Sequence, residues 1–505
     1  MSNDPLTIPL GRRPRIDWLR ILVLILLAVL AFRALVVPAF VLNLMPYPVD
    51  YFYGEGDELF HINRLLRGLN IYNDSTQYPF SGNIYPPVFF WIAGGISHFF
   101  GATLATLRAL MLIPLAGVMF FIGLFLRREK APAALITAAV LLAPVTYGLS
   151  EYLIMPRVDG WMALFALGSF YFFAAQELKT RDIVCGGVLA ALALFTKQTA
   201  IFGLAAVNLH LLLARPRKGL AAGACAALAC GLLLGVSLWQ FGPQMLDSLS
   251  SLTARRTWIG GRFNTLLVPS IAYLSILGGI ASARLAVHAA TRRWELLDTY
   301  IVGHCLPGAL IMFDGGGINY LLPLLPGLCL AAALSLRDLA AIWPRQAVTA
   351  AVALAGFHVL LQSPCEEPLT MPDAEHLQEA CWAAAFLSDT EAPVFAERLW
   401  GAIAGKEQTQ HYFVEPVHLS QLPPGRLDRQ VLLAPFLARR FARVIVFRPS
   451  YLPRDVRKAL QDNYEVRRRG KLMLCFRFQE EAEIVYLVPR KDAPQGTDDP
   501  TRPPP

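Results

Sequence analysis

From residue 18 onward, long apolar runs alternate with short polar stretches. Apolar runs of about 17 to 25 residues recur from residue 21 to residue 361, each long enough to cross ~30 Å of hydrocarbon as a helix. The pattern predicts spans near 18–43, 103–126, 131–150, 159–176, 183–197, 199–214, 219–241, 265–287, 297–313, 318–335 and 345–361, eleven in all. The stretch PPVFFWIAGGISHFFG (86–101) would upset the alternation of loops if it crossed, so it is expected to be a partial or surface-lying helix on the outer side. The first run is too long for a signal-peptide core and lacks a small-residue cleavage site, which makes it a retained helix.

After residue 362 the apolar runs stop and the text becomes mixed and charged. APVFA (392–396), ARVIVF (442–447) and KLMLCFRF (471–478) read as buried strands, and PRDVRKALQDNY (453–464) reads as a helix. The fold class expected is an all-α polytopic membrane domain, residues 1–362 with an outer loop at 44–102, followed by a small α/β soluble domain, 363–486. The tail 487–505, DAPQGTDDPTRPPP at its end, has no apolar pattern and is expected to be disordered.

Composition agrees with the pattern: 55% of residues are hydrophobic and 16% charged, against roughly 25% charged in an average soluble chain. The net charge of +8 raises a nucleic-acid partner, but the Lys and Arg residues lie in short clusters between apolar runs, where membrane orientation explains them. No nucleic-acid motif accompanies them. Arg12, Arg13 and Arg15, then Arg127, Arg128 and Lys130, then Lys179 and Arg181, then Arg215, Arg217 and Lys218, then Arg292 and Arg293 occupy alternate loops. The positive-inside rule puts those loops and the N-terminus in the cytoplasm, and the C-terminal domain outside a plasma membrane. Five of the eight cysteines fall within or beside apolar runs as small core residues. Cys365, Cys381 and Cys475 come later, leaving room for one disulfide whose pairing the sequence does not assign.

The same orientation gathers the chemically richest stretches on the outer side: YGEGDELF, EYLIMPRVDG, FTKQTA, ARRTWIGGRFN and FDGGGINY. Polar groups at such a boundary line a cavity or pair with one another. The first stretch packs Glu55, Asp57 and Glu58 into four positions. The others supply Arg157, Asp159, Lys197, Gln198, Arg255, Arg256, Arg262, Asn319 and Tyr320. Each has a plain structural reading as well. The acidic cluster can be a solvated loop, Arg157 and Asp159 a pair at a helix start, Lys197 and Gln198 an interface anchor, and Asn319 a cap. His61, His304 and His358 show no metal-ligand spacing.

The order of these features resembles the GT-C superfamily of membrane glycosyltransferases, which use polyprenyl-phosphate sugars and include protein O-mannosyltransferases and lipid A aminoarabinose transferases. One helix is followed by an acidic loop (GEGDELFHINRLLRGLNIYND) and then by YPPVFFWI. An R-x-D opens a later span (RVDGWMALFALG), T-K-Q lies between two spans, and N-Y opens a late one (GGGINYLLPLLPGL). In that family the first outer loop carries the acidic residue taken as base or acceptor-positioning group. An E-G form of the motif would put the role on Glu55 and a D-E form on Asp57 followed by Glu58; the D-E form is the commoner, and Asp57 is preferred.

The resemblance implies transfer of a sugar from a polyprenyl-phosphate carrier to a glycan, lipid or protein acceptor on the outer side, with inversion at the anomeric carbon. Such chemistry needs a carboxylate to take the acceptor's proton and cations to steady the leaving phosphate. Lys197, Arg256 and Arg262 are the expected phosphate ligands. Glu58, Arg157, Asp159, Gln198, Asn319 and Tyr320 are expected to bind sugar or acceptor. Some relatives use a divalent metal and others do not, so the resemblance assigns no cofactor. The competing classes are a transporter, against which the lack of an internal repeat speaks, and a relative that binds lipid-linked sugar without catalysis.

Overall fold

The computed structural model describes residues 18–52, 54–72, 83–251, 258–313, 317–362, 372–396, 429–447, 454–475 and 479–490. Among the described residues, five helices are long and apolar enough to cross a bilayer: Trp18–Leu44, Leu104–Arg128, Pro216–Phe241, Leu324–Ile342 and Pro344–Gln362. Their outer faces carry exposed Leu24, Phe32, Leu35, Leu228 and Trp239, as apolar faces turned toward lipid do. Leu324–Ile342 is instead packed within the bundle, buried along its first half from Leu324 to Leu334. The chain is a multi-pass membrane protein.

Eleven crossing helices are not found at full length, and prolines lie near several of the breaks. The expected span 131–150 is two helices, Ala133–Val145 and Tyr147–Ile154, separated at Thr146, whose backbone leaves the helical region two residues after Pro144. The span expected at 297–313 is an α-helix, Leu296–Cys305, that tightens into a 3₁₀ segment, Leu306–Met312, at Pro307. Near 318 a 3₁₀ turn, Ile318–Leu321, precedes Pro323 and the helix Leu324–Ile342. The stretch at 86–101 folds as a 13-residue helix, Val88–Phe100, roughly 20 Å long and too short to cross.

The C-terminal region carries a four-stranded sheet in the order β1-β2-β4-β3, with β1 Val394–Ala396, β2 Arg443–Phe447, β3 Tyr464–Cys475 and β4 Gln479–Pro489. β1 and β2 are parallel and the other pairs antiparallel. Strands are found at the three expected places, with 476–478 of the third outside the described residues, and the helix (Arg454–Asn463) is present; β4 was not anticipated. Of the expected tail, 491–505 lies outside the described residues.

Period-two alternation gives the sheet two apolar faces. Val444, Val446, Val485 and Leu487 join Phe395, Phe436 and Phe441 in a separate core. Ile445, Ile484 and Tyr486 face the helix Ala374–Ser388 and belong to the main core of the membrane bundle. Tyr47, in the loop after the first long helix, lies within electrostatic reach of Cys381 and Tyr486. The C-terminal sheet and its helix therefore sit on the same face of the bundle as the loop that leads into the acidic stretch. Cys381 is a free thiol; Cys365 and the Cys475 side chain are outside the described residues.

Candidate active site

Gly54 starts the site. Its φ of +83° is a left-handed conformation open to glycine at little cost, and it turns the chain into the helix Glu55–Leu66. A Cβ placed there would stand 3.8 Å from the Arg157 Nε, so the turn abuts the second motif directly. Glu55, Asp57 and Glu58 fill the first helical turn, where the helix dipole favours negative charge.

The three carboxylates have different surroundings. Glu55 is fully buried. Its Oε1 accepts from Arg108 Nε at 3.0 Å, and its Oε2 accepts from Arg108 Nη2 at 2.6 Å and the Tyr51 amide at 2.8 Å. Asp57 keeps 17% of its side chain exposed and lies 3.7 Å from His61 Nε2; burial, with Arg64 nearby, holds the pKa of His61 at about 3, so that imidazole is neutral. Glu58 is buried, and that burial, reinforced by Asp57 and Asp159, pushes its carboxyl well above the ordinary range despite Arg157 and Lys197.

Opposite Glu58 stand the two cations. Arg157 caps the helix Val158–Phe173 and donates from Nη2 to the Tyr85 hydroxyl at 2.7 Å. Lys197 occupies the extended break between the helix Thr180–Thr196 and the 3₁₀ turn Gln198–Ala200. Its ammonium pairs with Asp159 Oδ1 and lies 4.6 Å from the Tyr320 ring centre and 5.8 Å from that of Tyr85, both cation–π distances. Asn319 Nδ2 donates to the same Asp159 oxygen at 2.9 Å. Asp159 is 0% exposed, and its Oδ2 is buried with no hydrogen-bond partner among the described residues.

Tyr85 is the hub of this cluster. Its amide donates to Asn83 Oδ1 at 2.9 Å, its carbonyl accepts from the Tyr72 hydroxyl at 2.8 Å, and the neighbouring Ile84 carbonyl accepts from Gln198 at 2.8 Å. Burial raises its phenol pKa while the two cations pull it back.

Nine of the eleven expected site residues thus lie on four adjoining pieces: Glu55, Asp57 and Glu58 on the acidic helix; Arg157 and Asp159 at the start of Val158–Phe173; Lys197 and Gln198 at the break after Thr180–Thr196; Asn319 and Tyr320 on a 3₁₀ turn. Arg262 is placed on a different contact. It donates to the Phe313 carbonyl at 2.6 Å, beside the Trp258–Phe313 bridge. Arg256 lies outside the described residues. Sequence reasoning missed Tyr85, which it had only as part of YPP, and Arg108, a lone cation inside an apolar run that deserved notice on that ground.

Among the described residues, one group could gather three metal-ligand atoms: His288, Glu295 and Asp298. It lies toward the other end of the bundle, about 20 residues or roughly 30 Å along the helix Val268–Ala290. The Arg284 guanidinium already serves it, 2.7 Å from Glu295 and 3.7 Å from Asp298.

A helical bundle with an acidic first-loop helix, cations at adjoining helix ends and a small C-terminal sheet over the same face is consistent with a GT-C membrane fold. The chain has that fold. It matches the crystal structure of ArnT from Cupriavidus metallidurans bound to undecaprenyl phosphate at 12% identity and a TM-score of 0.58, over 91% of this chain and 97% of that one. The apo form of the same protein matches at 15% identity and 0.52, over 91% and 98%. The apo Archaeoglobus fulgidus oligosaccharyltransferase matches at 11% and 0.51, over 93% of this chain and 75% of that one. No protein-family model and no curated protein matches the chain.

Proposed function

We propose that this protein is a glycosyltransferase that moves a sugar from a polyprenyl-phosphate carrier to an acceptor on the outer side of the plasma membrane. The observation that carries the reading is the convergence of Arg157 and Lys197 on Tyr85, beside buried Glu58 and Asp159. The GT-C fold, and the undecaprenyl phosphate bound to a protein that shares it, support the choice of donor. The positive-inside distribution of Lys and Arg supports the orientation.

In this account the acceptor hydroxyl attacks the anomeric carbon from the face opposite the phosphate. The C–O bond to the phosphate breaks with its electron pair, and the carbon inverts. Arg157 and Lys197 hold the phosphate and meet the charge that develops on it. Asp57, the carboxylate that keeps solvent access, takes the acceptor's proton. Glu58, whose carboxyl burial raises above its ordinary range, and the Oδ2 of Asp159 face the sugar as its polar contacts. Glu55 has both oxygens occupied and takes no proton. Phosphate charge is met by the side chains of Arg157 and Lys197.

The test is transfer from a radiolabelled polyprenyl-phosphate sugar by the full chain in proteoliposomes. Asp57→Asn should retain donor binding and lower turnover by about 10²- to 10⁴-fold. Transfer unchanged in this variant would remove Asp57 from the chemistry. Saturable donor binding with no transfer by the wild type would favour a non-catalytic binder, and movement of the lipid-linked sugar across the bilayer would favour a transporter.

A further inference from the structure

We infer that Arg108 and Glu55 are positioning residues, which fix the rotation of the acidic helix and so present Asp57 and Glu58 to the donor site. This inference rests on the reading above and assigns Glu55 a role other than that of base. Arg108 is 1% exposed and is the one charged residue of the seven in Leu104–Leu110. A guanidinium in such a place must spend its donors on the protein. Two of them bind the Glu55 carboxylate side by side, at 3.0 and 2.6 Å. The remaining bonds go to three backbone carbonyls: Leu44 and Tyr47, each at 2.7 Å, and Val49 at 2.9 Å.

Those carbonyls give the arrangement its meaning. Leu44 is the last residue of the first long helix, and Tyr47 and Val49 belong to the loop that leads into the acidic helix. One side chain from a membrane-embedded helix therefore clamps the end of its neighbour, the connecting loop and the first residue of the acidic helix. The Tyr51 amide adds a bond to Glu55 from inside the same loop. Asp57 and Glu58 follow Glu55 by two and three residues, about 200° and 300° further around the helix. With Glu55 pinned inward, their directions are set. A planar fork bound at two oxygens resists rotation in a way that a point charge does not.

The experiment compares Arg108→Lys and Glu55→Gln with the wild type, as full chains in nanodiscs, by three readouts: amide hydrogen exchange of residues 55–66, affinity for polyprenyl phosphate, and transfer rate across pH. Both variants should speed exchange in 55–66 while exchange in the helix Val158–Phe173 stays unchanged. Affinity for polyprenyl phosphate should stay within about twofold, because Arg157 and Lys197 are held by other elements. Turnover should fall by about 10²-fold, the cost of a misplacement on the order of 1 Å, with the shape of the pH–rate profile retained.

Unchanged exchange in 55–66 in both variants overturns the inference. So does a Glu55→Gln variant that abolishes a limb of the pH–rate profile, since Glu55 would then be the titrating base. Should Arg108→Lys fail to fold, Glu55→Gln decides alone, because it retains the Arg108 bonds to all three carbonyls. Hydrogen exchange separates the two failures: if the wild type transfers no sugar but exchange still responds to both variants, the clamp stands and the functional reading falls.

Discussion

Lys197→Met removes an ammonium while retaining most of an unbranched side chain, and the structure says what that does. Asp159 is 0% exposed and Lys197 2%. Without the ammonium, Asp159 keeps Asn319 at 2.9 Å as its hydrogen-bond donor and becomes an uncompensated buried charge. Breaking a buried pair from one side costs about 3–5 kcal/mol. Adding Asp159→Asn removes the stranded charge at nearly constant shape, and replacing both members of a buried pair is often close to neutral. The double variant should therefore recover to within about 1 kcal/mol of wild type.

Donor binding should not recover. A hydrogen bond to a charged group contributes about 1.5–3 kcal/mol, so the single and double variants should both bind polyprenyl phosphate about 10- to 100-fold more weakly. Thermal unfolding in one detergent and equilibrium binding of the lipid measure the two quantities separately. If the double variant regains affinity along with stability, Lys197 is a structural partner of Asp159 and holds no phosphate.

Glu58→Gln should act through pH. The fold raises this carboxyl, so the wild type is at its relative best below the ordinary carboxylate range and loses stability as pH climbs from there toward the raised pKa. Glutamine has no such loss: the variant should melt higher than wild type at pH 8 and level with it at pH 4, and a difference that ignores pH would contradict the buried, strained carboxylate. Orientation is tested with a cysteine at Asp389, whose side chain is 80% exposed on the soluble domain. A membrane-impermeant maleimide should label it in intact cells; labelling that requires permeabilisation would turn the protein over and put the site in the cytoplasm.

Much of this was legible in the sequence because the bilayer limits the choices. A run such as 18–43 has few structures open to it besides a helix, and Trp18–Leu44 is that helix. The motif order carried the site nearly as well, since RVDG and TKQ mark helix ends and helix ends are where Arg157 and Lys197 were found. Two kinds of information were missing. Pairing across 53 residues is invisible in a linear text, so Glu55 stood as a rival to the preferred Asp57 with no sign of its bond to Arg108. Strand pairing was the second: QEEAEIVYLVP has acidic residues at its start and a continuous apolar run after it, and its place in the sheet follows from its neighbours β2 and β3. Short segments that meet at Thr146 and at Pro307 had been merged into single spans because the apolar runs continue through both junctions.

The most direct measurement of the central claim is a structure of the full chain with polyprenyl phosphate bound. The account predicts the phosphate within hydrogen-bond distance of Lys197 Nζ and the Arg157 guanidinium, next to Tyr85, with the prenyl chain leaving between apolar helices. A phosphate bound instead at the other end of the bundle, beside Lys179, Arg215 and Lys218, with Lys197 paired to Asp159 and touching no phosphate, would contradict it.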